Sequence, residues 1–484
     1  MSIGAESDFL WTSLGLIDPL AARVCGRLPR GGVTGISIDT RTLREGELFF
    51  AIKGFNSDGH DYVGAAFEKG AIAAVVDEAH ADALRPLGPL YVVTDVLAAL
   101  ERLGAAARAR SGARIAAVTG SVGKTSTKEA LRLVLTQAGT SHASAASYNN
   151  HWGVPLSLAR MPKHTRFGIF EIGMNHKGEI TPLTAMVRPH VAIITTIAPV
   201  HLEFFENIDE IADAKAEIFS GLVPGGVAIL NRDLPQYERL LAYAKLSPAG
   251  HVASFGEHEK ADARLISVNV GTDHSVVEAE ICGQPLSYRL GVPGRHFAMN
   301  ALAVLLAAKA FGVDLEVAAG TLAFSSPQPG RGERLLLPAE GGPYTLIDES
   351  CNANPASMRA ALALVGALPL RDKGRRIAIL GDMLELGRDG AAMHAELARD
   401  VAANHIDLVF AAGPLTKHLF EALPGQLQGA WRDRASDLVP IVGAVVQSGD
   451  MVIVKGSNAS RMSAIVDALK QRAATDNLAG AVKC

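Results

Sequence analysis

Lys124 and Thr125 follow the glycines of the stretch Ile115-Ala-Ala-Val-Thr-Gly-Ser-Val-Gly-Lys-Thr-Ser-Thr127, an apolar run that breaks into a glycine loop. A helical pattern follows, with Ala130, Leu131, Val134, Leu135 and Ala138 at helical spacing. Strand, glycine turn and helix in that order make an anion cradle. Glycines let backbone N–H groups approach phosphate oxygens, and the helix N-terminus carries partial positive charge. The Lys124 ammonium can reach β- and γ-phosphates, and the Thr125 hydroxyl can offer Mg²⁺ an oxygen. Thr119, Gly120, Ser121, Val122, Gly123, Lys124, Thr125 and Ser126 are the expected nucleotide-phosphate contacts. The loop is shorter than the common phosphate loop, because only Ser121 and Val122 separate its glycines.

Three further residues have types that could complete such a site. Glu171 lies at the end of the strand-like run Phe167–Ile172, and ligands of open α/β sheets sit at the C-terminal ends of strands. A carboxylate there can share a Mg²⁺ with Thr125 and phosphate oxygens. Alone, it also fits a solvated strand-end glutamate. His201 follows Thr195-Thr-Ile-Ala-Pro-Val200, again just past a strand-like run, where a lone histidine fits an ordinary surface position. Lys215 lies four residues from both Ile211 and Phe219, and so shares their apolar stripe. Its stem could pack while the ammonium reaches water. Alternatively it is a desolvated amine of depressed pKa, which can add CO₂ and become an anionic carbamate ligand.

The elements that must position these residues form three blocks. The first ends near Arg110 with an Ala/Leu/Arg helix over about Val96–Arg110. The second has strand-like runs at Phe167–Ile172, Val191–Ile197 and Val227–Leu230, with helical patterns between them. Ser325-Ser-Pro-Gln-Pro-Gly-Arg-Gly332 reads as a linker. The third block repeats the rhythm with Thr345–Ile347, Ile377–Leu380, Leu408–Ala411 and Val452–Val454. At 484 residues, 48% of them apolar and 20% charged, the chain can fill three soluble cores. The net charge of −4 gives no basic footprint for nucleic acid. Cys25, Cys282, Cys351 and Cys484 are scattered without metal-site spacing, which fits a reducing compartment. The N-terminal Met-Ser-Ile-Gly-Ala-Glu-Ser-Asp has neither a basic region nor an apolar core of a signal peptide. The apolar stretch Ala301–Phe311 is interrupted by Lys309 and is too short to span a bilayer. Cytoplasmic residence without membrane insertion is expected.

Taken together these residues resemble the Mur ligase family of ATP-dependent peptide-bond-forming enzymes. The matching pieces run in order through nearly the whole chain: Thr119–Lys128, Tyr148-Asn-Asn-His-Trp-Gly-Val-Pro-Leu156, Glu171–Ile180, His201, Ala214-Lys-Ala-Glu-Ile218, Gly294-Arg-His-Phe-Ala-Met-Asn300, Arg331-Gly-Glu333 and Asp348–Pro355. The resemblance implies an α/β chain of three domains. Residues 1–110 would form an N-terminal UDP-sugar-binding α/β domain. Residues 111–326 would form a central P-loop ATPase-like doubly wound domain, and 327–484 a C-terminal Rossmann-like domain closing on the nucleotide and binding the incoming dipeptide.

It also implies roles. Lys124 would bind phosphate, Thr125 and Glu171 would hold one Mg²⁺, and His201 with carbamylated Lys215 would serve a second. His296 and Asn300 would lie near adenine, with Arg331 and Asp348 reaching the nucleotide of ATP from the third domain. Ser37-Ile-Asp-Thr-Arg41 resembles part of a UDP-sugar site, in which Ser37 and Thr40 offer hydroxyls and Arg41 a fork matched to a diphosphate. Asn149 and Asn150 are expected substrate contacts.

Within the family, Glu171-Ile-Gly-Met-Asn-His-Lys-Gly-Glu-Ile180 and Asn352-Ala-Asn-Pro-Ala-Ser357 resemble the branch that adds D-alanyl-D-alanine to UDP-N-acetylmuramoyl-tripeptide. The Asp/Asn-Pro-Arg motif of a sibling branch is not found in the last block. Cys351 stands where the resembled branch usually has Tyr, so local packing there should differ. The third residue of the tripeptide, meso-diaminopimelate or L-lysine, stays open, and a monomer is expected.

Overall fold

The computed structural model describes residues 9–54, 57–145, 147–200, 203–371 and 374–481, with side chains to Ala474 in the last helix. Besides a two-stranded antiparallel pair, Trp11–Thr12 with Gly32–Val33, three larger sheets follow one another along the chain, each covered on both faces.

The first sheet is built from β1 (Arg23–Cys25), β2 (Gly35–Ser37), β3 (Glu47–Phe50), β4 (Ala73–Asp77) and β5 (Leu90–Val93), in the order β1-β5-β4-β3-β2. Only β1 runs antiparallel to its neighbour. The helix α1 (Val96–Arg110) occupies the expected span, capped by the Asp95 carboxylate on the Ala98 N–H. Leu100, Leu103 and Ala107 of α1 share one apolar cluster with Trp11, Leu156 and Ala159, so this core continues into the middle of the chain.

The central sheet contains β6 (Arg114–Thr119), β7 (Ser141–Ala143), β8 (Phe167–Glu171), β9 (Val191–Ile194), β10 (Gly226–Asn231), β11 (Ala249–Gly256), β12 (Ala263–Val270), β13 (Ser275–Ile281) and β14 (Gln284–Leu290). Their order is β14-β13-β12-β11-β10-β9-β6-β8-β7. Alternate residues of β6 face opposite cores. Ala116 and Val118 pack with α2 (Lys124–Ala138), while Ile115 and Ala117 pack with α3 (Gly153–Ala159) and α4 (Ile208–Ala216). Burial on both faces explains why the strand reads as an unbroken apolar run. The chain moves from β8 across β6 to β9, so the order reverses at the C-terminal end of β6, where a crevice opens.

The parallel rhythm expected for this block ends at β12. From there β12, β13 and β14 pair antiparallel and extend the sheet. Cys282 (φ 51°) and Gly283 (φ 82°) form the tight turn between β13 and β14, both left-handed as a two-residue hairpin turn requires. The helix α5 (Arg295–Ala310) returns across this sheet.

The third sheet comprises β15 (Glu333–Ala339), β16 (Gly342–Glu349), β17 (Arg376–Gly381), β18 (Leu408–Ala412), β19 (Gln428–Arg432) and β20 (Met451–Lys455), ordered β15-β16-β20-β17-β18-β19. All but β15 are parallel to their neighbours. Among its helices are α6 (Pro355–Ala367) and α7 (Gly390–Ala403). Among the described residues no helix is long and apolar enough to cross a membrane.

Candidate active site

The glycine loop joins β6 to α2 at the reversal of the central sheet. Gly120 (φ 146°) and Gly123 (φ 87°) take backbone conformations that favour glycine. A Cβ on Gly123 would stand 2.7 Å from the Asn300 amide nitrogen, so α5 presses directly against the loop. The loop is braced from β9. Ser121 N–H donates to the Thr196 carbonyl at 2.8 Å, and the Thr195 hydroxyl donates to the Val122 carbonyl at 2.5 Å. The Lys124 ammonium donates to the Gly120 carbonyl at 2.7 Å, folding over the loop it belongs to. Surrounding protein lowers the Lys124 pKa. Nearby Glu171 opposes that shift and Arg331 adds to it.

Thr125 and Glu171 come together as expected. The buried Thr125 hydroxyl donates to Glu171 Oε2 at 2.8 Å, and the Asn149 amide donates to Oε1 at 2.6 Å. These are hard oxygen donors at a helix N-terminus, a set that suits Mg²⁺ with phosphate oxygens as further ligands. Asn149, expected as a substrate contact, orients this carboxylate. Asn150 is also used internally: its Oδ1 accepts the Trp152 and Gly153 N–H groups at the start of α3.

Lys215 sits on α4 with its side chain 1% exposed, between the buried Ile211 and Phe219. Burial holds its pKa well below the ordinary lysine value, and the Lys124 charge lowers it further. A lysine this deeply buried cannot bring its ammonium to water, which favours the desolvated amine of the two sequence readings. An amine is not a ligand for Mg²⁺, so only conversion to an oxygen donor would make Lys215 one. His201 lies outside the described residues.

His296 opens α5 and is exposed toward the third domain. Although solvent reaches part of the side chain, desolvation by the surrounding protein lowers its pKa, with Glu349 opposing and Lys455 reinforcing the shift. A pocket beside the glycine loop is walled by Ala130, Leu133, Leu290 and Phe297, with Asn300 and Arg331 at its edge. An apolar slot with an amide and a guanidinium at its rim suits a flat heteroaromatic ring. The Arg331 guanidinium crosses between domains to the Ser147 hydroxyl at 3.0 Å.

Asp348 does not reach this pocket. Its buried carboxylate accepts the Gly330 N–H at 3.1 Å, and the Ser350 N–H and hydroxyl at 3.1 and 2.6 Å. It therefore pins the linker to the third sheet. The next residue, Glu349, pairs with the buried Lys455 at 3.0 Å and is the carboxylate that His296 senses. Neither Glu349 nor Lys455 stands out in the sequence, because the pair joins the ends of β16 and β20. Cys351 lies against Gly330, its N–H donating to that carbonyl at 3.0 Å. Asn354 caps α6: its side chain accepts the Ser357 N–H at 2.9 Å in a reciprocal capping box, with Pro355 opening the helix.

In the first domain the Ser37 hydroxyl bonds within its own turn, to the Asp39 carbonyl at 3.1 Å. Thr40 offers its carbonyl to the Lys69 ammonium at 2.9 Å. The Arg41 fork is bidentate on the Asp39 carboxylate, with its side chain 87% exposed. That ion pair lowers the Asp39 pKa, and a diphosphate would have to displace it, at little cost for so exposed a pair.

Comparison with known proteins finds relatives along nearly the whole chain. Residues 32–110 match the Mur ligase family, catalytic domain; 118–308 match the Mur ligase middle domain; and 330–458 match the Mur ligase, glutamate ligase domain. The UDP-N-acetylmuramoyl-tripeptide–D-alanyl-D-alanine ligase of Rickettsia prowazekii (strain Madrid E) is 33% identical, over 89% of this chain and 94% of its own. The enzyme of that name from Bacillus subtilis (strain 168) is 32% identical, over 90% and 92%. A crystal structure of MurF from Acinetobacter baumannii superposes with a TM-score of 0.80 at 29% identity, over 95% of this chain and 99% of that one. The chain belongs to the Mur ligase family.

Proposed function

We propose that this protein is the ATP-dependent ligase that joins D-alanyl-D-alanine to UDP-N-acetylmuramoyl-tripeptide, yielding the pentapeptide precursor of peptidoglycan. The observation that carries this reading is the meeting of Lys124, Thr125 and Glu171 at the switch point of the central sheet, with the desolvated Lys215 amine nearby. Relatives bearing that ligase name align over nearly their full length.

The terminal carboxylate oxygen of the tripeptide attacks the γ-phosphorus of ATP, the bond to the β-phosphate oxygen breaks, and ADP leaves. The dipeptide amine then attacks the acyl-phosphate carbonyl carbon. Inorganic phosphate departs and the amine loses a proton. Phosphoryl transfer of this kind needs positioning and charge neutralisation above all. Lys124 and the glycine-loop N–H groups supply both, and Mg²⁺ held by Thr125 and Glu171 would add positive charge there. Carbamylated Lys215 with His201 would hold a second Mg²⁺. The apolar pocket beside Asn300 and Arg331 takes adenine, and the third domain shields the acyl phosphate from water. The protein acts as a cytoplasmic monomer.

The test is phosphate release from Mg-ATP with UDP-N-acetylmuramoyl-tripeptide, with and without D-alanyl-D-alanine. Release that depends on the dipeptide, with a pentapeptide product by mass, is the expected result. No release with either the diaminopimelate or the lysine tripeptide would overturn the assignment in favour of a sibling ligase.

A further inference from the structure

Lys128 follows the glycine loop on α2, one turn beyond Lys124, and is not among the expected phosphate contacts. Its side chain is fully buried. The ammonium donates to the Ser144 carbonyl at 2.7 Å and pairs with Glu129 Oε1 at 3.0 Å. Glu129 is shared with Arg132, whose guanidinium donates to Oε2 at 2.7 Å. Taking an ammonium wholly out of water is costly, and an apolar side chain of similar volume often serves stability as well or better. A buried cation at this place therefore calls for a purpose other than filling space.

What Lys128 grips is the start of the segment that leads from β7 to α3. The described residues of that segment touch the C-terminal end of β8 at three points. Ser144 N–H donates to the Ile169 carbonyl at 3.1 Å, Glu171 N–H donates to the Ser144 hydroxyl at 3.4 Å, and Gly173 N–H donates to the Asn149 carbonyl at 2.8 Å. The far end is tightly fitted: a Cβ on Gly173 would stand 2.9 Å from the Asn149 side chain. From there the Asn149 amide reaches Glu171 Oε1 at 2.6 Å. Between the two ends, the Ser147 hydroxyl takes the Arg331 guanidinium of the third domain at 3.0 Å. The segment thus links the third domain to the carboxylate expected to hold Mg²⁺, and Lys128 fixes it to the helix that begins at the glycine loop.

Helix α2 therefore holds Glu171 twice, directly through the Thr125 hydroxyl at 2.8 Å and indirectly through Lys128. We propose that Lys128 is a positioning residue for the Mg²⁺-binding carboxylate, acting through Ser144 and Asn149, an inference that rests on the nucleotide and metal part of the ligase reading. Its role is to keep Asn149 and Glu171 in register with the glycine loop while Arg331 bears on Ser147. A side chain that orients a metal ligand through a second residue tunes the affinity for the ion without touching it.

ADP binding measured by calorimetry, with and without Mg²⁺, tests this without turnover. In the parent, Mg²⁺ should tighten ADP. Lys128→Met, with a stem of similar length, should shrink that tightening by about threefold or more, while ADP affinity without Mg²⁺ stays within about twofold of the parent's. A lysine that only stabilises the fold would move both affinities together. Asn149→Ala supplies the second arm. Because both residues act through one link, the double variant should lose no more of the Mg²⁺ effect than the worse single variant. Additive losses in the double variant, or a parent-like Mg²⁺ effect in Lys128→Met, would overturn the inference. So would an equal loss of ADP affinity with and without Mg²⁺. Should Lys128→Met fail to fold, Lys128→Gln, a shorter polar side chain, carries the same cycle with the same outcomes. A parent whose ADP affinity ignores Mg²⁺ fails the metal reading itself, and this one with it.

Discussion

Thr125 and Glu171 meet across the C-terminal ends of β6 and β8, hydroxyl to carboxylate at 2.8 Å, with Asn149 holding the second carboxylate oxygen at 2.6 Å. The carboxylate is thus oriented before any cation arrives. Glu171→Ala should raise the Mg²⁺ concentration for half-maximal activity by about tenfold or more, since an ionised ligand is lost. Asn149→Ala should raise it less, because that side chain only orients the ligand. Mg²⁺ titrations of phosphate release read both. Equal effects would mean Asn149 itself binds the cation or substrate.

Lys124 is the cation of the glycine loop and, in the proposed reaction, the one that meets the γ-phosphate. Removing a preorganised charge of this kind typically slows turnover by about a hundred- to a thousandfold. Lys124→Ala should therefore lose at least that much of the rate of phosphate release, while its far-UV spectrum and melting temperature stay close to the parent's. A variant with full activity would remove the glycine loop from the chemistry.

The loop, its strand and its helix are legible in the sequence because all their determinants are local: an apolar run buried on both faces, glycines at the positive-φ positions, and a helical stripe. Glu171 is legible too, since strand ends mark ligand sites. The partnership of Asn149 with Glu171 is not, because it depends on how the segment before α3 is laid against β8. The approach of Glu349 to His296 is hidden for a related reason. Adjacent strand residues point to opposite faces, and only the fold decides which faces His296. The antiparallel extension β12–β14 carries a local signal, the alternating Ser275–Ile281 followed by a tight turn, but that signal lies in a block dominated by parallel strands.

Asn354 belongs to a motif shared with the resembled ligase branch, yet its side chain is spent on the Ser357 N–H. Loss of such a cap costs about 1 kcal/mol. Asn354→Ala should lower the melting temperature by roughly 2–8 °C, depending on the size of the unit that melts. Turnover at 25 °C should stay close to the parent's. A large loss of turnover at unchanged stability would show that the asparagine serves ligand rather than helix.

Lys215 gives the prediction that separates function from stability most sharply. Its folded pKa is held well below the unfolded value by burial and by Lys124. Between the folded and unfolded values the unfolded chain binds the extra proton, so stability rises with pH across that window and levels off above the unfolded value near 10.5. Below the folded value the penalty is complete. Lys215→Met keeps the volume and removes the buried amine, so it should melt higher than the parent at neutral pH, by about 2 °C or more. The difference should shrink as pH rises toward the unfolded value. The same variant should be inactive. Lys215→Ala should regain part of its activity when a short carboxylic acid is added, because the acid can occupy the place of a carbamate. Parent-like turnover in Lys215→Met, or no rescue of Lys215→Ala by any short acid, would remove the carbamate and leave a lysine whose burial has no catalytic purpose.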